Sequence, residues 1–129
     1  MSKRSGTTKW TLLAAVVEAA ATGLVLSVRP SWFAWLVFGA EFSNAGIVLS
    51  RLTAIALLGL ALATWPTTAA TNQLASSVRV LLIYNVLAAV YLVYVGIGNQ
   101  LTGVLLWPAV ALHGMLAVLL GRAWLATGE

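Results

Sequence analysis

Four runs of about twenty apolar residues, the length that crosses a bilayer as a helix, occupy most of this chain. They lie at about 10–28, 46–65, 78–95 and 101–124. In lipid a helix closes its own backbone hydrogen bonds, which no open sheet can do. Breaks in the sequence separate the runs. Arg29-Pro30 ends the first, because proline pushes the residue before it out of helical geometry, and Pro66 ends the second. The polar stretch TTAATNQLASS precedes the third run, and GIGNQ, rich in Gly and Asn, precedes the fourth. Nothing reads as a strand, and no length remains for a fifth span. Composition decides whether a soluble core could hide such helices. Of 129 residues, 61% are hydrophobic and 8% charged, whereas a soluble domain carries about 25% charged residues. A fold this small leaves too much surface in water to conceal so much apolar matter. The expected fold is all-α: an integral membrane antiparallel four-helix bundle, one transmembrane domain over residues 1–129.

The basic start, MSKRSGTTK, would suit a secretory signal. The run behind it, however, is longer than a signal's apolar core and contains a carboxylate, Glu18, so a retained span is expected. Between spans one and two, PSWFAWLVFGAEFSN is too apolar for a simple loop and too short to cross. Its aromatic residues, at about 31–42, suit a short interfacial helix at headgroup depth, or an irregular aromatic loop folded over the end of the bundle. With the N-terminus inside, Lys3, Arg4, Lys9, Arg79 and Arg122 fall at cytoplasmic edges and Arg29 at the opposite one. The positive-inside rule then places both termini in the cytoplasm, with Trp10, Trp65 and Trp124 along that rim.

Helices associate in lipid through small residues and polar bonds. Each span carries such a stripe at three- and four-residue spacing. Span one offers Thr11, Ala15, Glu18, Ala19, Thr22 and Gly23; span two offers Arg51, Ala54 and Leu58. Span three offers Ser77, Leu81, Asn85 and Ala88; span four offers Ala109, His113, Ala117 and Gly121. Every stripe thus holds one strongly polar side chain. At 1.5 Å rise per residue, Glu18, Asn85 and His113 lie roughly 10–14 Å from the cytoplasmic ends. Arg51 sits nearer the outer surface with a stem long enough to reach down, and Tyr84 is deep enough to join the set. Two readings follow. The groups hold the bundle in register, or they form a buried site, since intramembrane ionisable residues often anchor ligands or relay protons. The single histidine, His113, also admits a haem or chlorophyll as axial ligand. Bonding to Glu18 or Asn85 is favoured, because no second His or suitably placed Met stands by. Pro108 removes a helical hydrogen bond and is expected to bend span four or adjust its packing.

The absence of cysteine excludes disulfides, thiolate metal sites and cysteine nucleophiles. The net charge of +4 arises at the ends of apolar runs, not on a basic stripe interleaved with aromatics, so no nucleic-acid partner is expected. No nucleophile–base pair, paired carboxylates, metal cluster or phosphate loop appears, and neither catalytic residues nor a metal site are expected.

Two families share features with the chain. The segment AVVEAAATG around Glu18 resembles the small multidrug resistance exporters, four-span proteins that depend on a carboxylate in span one. That resemblance implies a proton-coupled small-molecule transporter centred on Glu18. Over nearly the whole chain, SRLTAIALLGLALATWP, the Tyr84-Asn85 pair and WPAVALH from Trp107 to His113 are similar to small four-span bacterial membrane proteins of the DoxX group. This similarity implies an inner-membrane bundle that is an accessory subunit or holds a lipophilic ligand, a quinone or lipid. Its partners would be the lipid bilayer, other membrane subunits or a second copy.

Overall fold

The computed structural model of the chain describes residues 2–66, 71–98 and 101–127. These residues form helices without a strand among them. Helix α1 spans Ser2–Val28 and α2 spans Pro30–Phe33, running on into a wide π turn over Ala34–Phe38. Helices α3 (Asn44–Ala63), α4 (Thr71–Gly98) and α5 (Leu106–Thr127) complete the fold. Four of the helices are long and apolar enough to cross a membrane. Their outward residues are large and apolar, among them Leu62, Ile55 and Leu125, at 77%, 68% and 67% exposure. Water would penalise that surface by roughly 25 cal/mol for every Å², whereas lipid does not. The chain is a multi-pass membrane protein with a short helix between spans one and two, as its sequence leads one to expect.

The helix ends differ from expectation for local reasons. Helix α3 starts two residues early because the Ser43 hydroxyl accepts the Gly46 N–H at 3.1 Å, a standard N-terminal cap. Of the polar stretch expected to connect spans two and three, residues 71–77 are already helical, while 67–70 lie outside the described residues. Helix α5 begins at Leu106, not 101. Residues 101–105 are drawn off to the loop after α2, where the Leu105 N–H donates to the Leu36 carbonyl at 2.7 Å. Of GIGNQ, Gly96–Gly98 finish α4, and 99–100 lie outside the described residues. The late start also decides what Pro108 costs the helix. Pro108 is the third residue of α5, where a backbone N–H has no intrahelical acceptor to lose.

The α2 loop and the α4–α5 connection lock together through two glycines. Gly39 ends the π turn with φ +68°, a left-handed conformation that glycine adopts at no steric cost. A Cβ built on Gly103 would collide with the backbone of Leu36 and Val37, so only glycine allows the two segments to touch.

Helix α3 packs along α1 and α4 packs along α5, with α1 bridging the two pairs. The α1–α3 approach is close at Gly23, where a Cβ would stand 3.1 Å from the Leu58 side chain and 3.2 Å from the Ala54 carbonyl. In the half holding the start of α1, the helices converge on Leu12, Val16, Ala61, Leu81, Leu116 and Leu120. In the other half the pairs diverge, and a smaller cluster of Leu26, Ala54 and Leu57 lies beneath Phe33 and Phe42. Lys9, Arg79 and Arg122 all lie at the first of these ends and Arg29 at the other. The side chains of Lys3 and Arg4 lie outside the described residues.

Candidate functional site

Where the two pairs diverge they leave a cavity of about 760 Å³, within the roughly 300–1,000 Å³ of typical ligand pockets. Its walls are apolar, built from faces of α1, α3, α4 and α5 and roofed by Phe33, Val37, Phe38 and Phe42. The two α3 hydroxyls among them are turned to their own helix. Ser50 donates to the Ile47 carbonyl at 2.8 Å, and Thr53 to the Leu49 carbonyl at 2.9 Å. Helices α3 and α4 both line the cavity yet do not pack substantially on each other. Leu49 of α3 and Tyr91 of α4 are each lining and more than 60% exposed, which marks a lateral opening between these helices. In a bilayer such an opening faces acyl chains.

The polar side chains gather at the floor. Glu18, Thr22, Tyr84 and His113 line the cavity, and Asn85 stands behind His113, fully buried. Asn85 donates from Nδ2 to the Leu81 carbonyl one turn earlier at 2.9 Å, and its Oδ1 lies 2.9 Å from His113 Nδ1. His113 Nε2 faces Glu18 Oε1 at 3.7 Å, with side chains only 9% and 10% exposed. The Thr22 hydroxyl, one turn along α1, donates to the same Oε1 at 3.0 Å. Glu18 Oε2 is buried and has no partner among the described residues. The Tyr84 ring meets the imidazole edge-on, centroids 5.7 Å apart at 84°.

The structure therefore brings together Glu18, Asn85, His113 and Tyr84, from three helices, at the shared depth expected of them. It does not bring in Arg51. That residue is exposed, does not line the cavity and makes no ion pair with Glu18 among the described residues. Two helical positions lie about 200° apart, so Arg51 faces away from Thr53 and the cavity. The inward face of α3 is instead Ser50, Ala54, Leu57 and Ala61. Small residues let α3 approach α1, while a guanidinium is cheapest where it can extend toward headgroups.

Both imidazole nitrogens of His113 are turned to protein partners, Asn85 and Glu18, so axial ligation would require breaking one contact. No cluster of three His, Asp or Glu side chains that could hold a metal ion occurs among the described residues. What sequence reasoning left open was the cavity: it allowed a buried site without its size or place. The aromatic residues of 33–42 carried the signal of a cap, but empty volume leaves no mark in a sequence. Comparison with protein-family models, curated proteins and solved structures finds no match to this chain.

Proposed function

We propose that this protein binds a lipophilic molecule, a quinone or a lipid, with its tail in the apolar cavity and its polar end on the Glu18–His113 floor. One observation carries this reading: a largely apolar cavity of about 760 Å³ with its two ionisable groups, Glu18 and His113, paired at one end and a lateral opening between α3 and α4. An amphiphile entering from the bilayer matches both features, its head reaching the floor and its tail remaining among apolar walls. The resemblance of its sequence motifs to DoxX-group proteins would imply such a role, as a free-standing binder or as an accessory subunit of a bacterial inner-membrane complex. Lys9, Arg79 and Arg122 at the same end of the bundle support an orientation with both termini in the cytoplasm.

The test is purification in a mild detergent followed by mass spectrometry of the co-purified lipids and quinones, for the natural chain and for Ala88→Trp. Ala88 lines the cavity wall, so an indole there should obstruct it. A discrete species retained by the natural chain and lost from the folded variant is the expected result. A natural chain that is reproducibly empty, or a variant that retains the same species, overturns the proposal.

A second reading, a proton-coupled transporter centred on Glu18, is favoured by the carboxyl–imidazole pair within the cavity. Glu18→Gln separates the two readings. A transporter loses coupled flux while the protein stays folded, and a binder has no flux to lose.

A further inference from the structure

Resting on that ligand-binding reading, we propose that the site selects a lipophilic alcohol: a molecule whose polar end is a free hydroxyl donating to Glu18 Oε2. Asn85 acts as the residue that positions the floor for it.

The argument runs through hydrogen-bond roles. The Leu81 carbonyl can only accept, so the Asn85 atom facing it is the amide NH₂. The atom facing His113 is then Oδ1, which also only accepts, and His113 Nδ1 must carry a proton and donate it. A neutral imidazole has one N–H, so Nε2 presents a lone pair to Glu18 Oε1, 3.7 Å away. Two acceptors opposed in an apolar site repel, and one proton between them relieves it. That proton lies on Oε1 or on Nε2, in a close charge contact that at 3.7 Å is too long for a formed hydrogen bond. In both cases it occupies the Oε1 side, which also accepts from Thr22.

Oε2 is left over. It is buried, and no donor reaches it among the described residues. Buried carboxyl oxygens without a donor are costly and rare in native proteins. Of the neighbouring hydroxyls, Thr22 donates to Oε1, Ser50 and Thr53 donate to their own helix, and that of Tyr84, which also lines the cavity, makes no hydrogen bond to Oε2. A ligand hydroxyl on the cavity floor supplies the missing donor. An ether or ester oxygen at that place would add another acceptor.

The experiment uses two probes with the same tail, 1-hexadecanol and its methyl ether, titrated onto the full chain in detergent and read by native mass spectrometry. The natural chain should prefer the alcohol by roughly tenfold or more, as expected for a hydrogen bond to an ionisable group. In Glu18→Leu, which has no acceptor at that place, the preference should fall to within about twofold while the ether still binds. Should Glu18→Leu not fold, Thr22→Val provides the control: it removes only the Oε1 contact and should keep the alcohol preference. Equal binding of alcohol and ether by the natural chain overturns the hydroxyl inference and leaves the cavity reading standing. A preference surviving in Glu18→Leu also overturns it. If neither probe binds, both readings fall.

Discussion

Replacing Asn85 with leucine tests the floor of the cavity most directly. Leucine keeps much of the volume but removes the Oδ1 that accepts from His113 Nδ1, 2.9 Å away and fully buried. The Leu81 carbonyl loses an extra donor, yet it lies within α4, where the helix ladder still serves it. The real loss is the orphaned Nδ1–H, for which leaving a buried donor unpaired costs about 1–3 kcal/mol. Interhelical polar bonds in membranes are measured lower, averaging about 0.6 and reaching about 1.7 kcal/mol. Together these bracket a destabilisation of about 1–2 kcal/mol, or roughly a 5- to 30-fold fall in the folded-to-unfolded ratio. Reversible unfolding in mixed micelles would read that change. A second readout is specific to the proposed geometry. The chain has one histidine, so selective ¹⁵N-histidine labelling gives a single imidazole. Its spectrum should show the proton on Nδ1 in the natural chain, and in Asn85→Leu a shift of population toward Nε2–H bonded to Glu18. A natural imidazole protonated on Nε2 alone, or a tautomer indifferent to the substitution, would refute the reasoning whatever the stability change.

Two further outcomes follow from the packing. Gly103→Val should destabilise the protein by about 1–3 kcal/mol or more, because its side chain would displace the backbone of Leu36 and Val37; an unchanged melting temperature would show that the loop and connection do not lock. Arg51→Ala should change stability by less than about 0.5 kcal/mol, as for an ordinary surface position, and leave ligand retention intact, since Arg51 lies off the cavity; loss of the bound species in that variant would return Arg51 to the site.

Much of the fold was legible because lipid imposes few choices. Run lengths and prolines reveal spans, and small residues at helical spacing reveal inward faces. The stripe of α4, with Ser77, Leu81 and Asn85 buried, could be read directly. So could the meeting of Glu18, Asn85 and His113, because antiparallel helices of known rise bring equal depths together. In span two the expected Ala54 and Leu58 do face α1, and only Arg51 was misplaced. A long cation is not bound to the inward face, and in α3 that position belongs to Ser50 beside it. The late start of α5 escaped for a different reason. Residues 101–105 are apolar enough to read as part of the span, and only their contact with the Leu36 carbonyl, distant in sequence, sets them apart.

The sequence by itself determined the solvent, the four spans and the set of buried polar groups, because these depend on composition and on periodicities of a few residues. The tertiary structure decided where that set lies, at the floor of a cavity. Whether two helix pairs close completely or diverge depends on the relative tilt of α3 and α4 and on the Gly39–Gly103 contact that seats the aromatic roof. Those are relations between residues far apart in the chain. They leave a cavity above Glu18, and an oxygen in that carboxyl still without a donor.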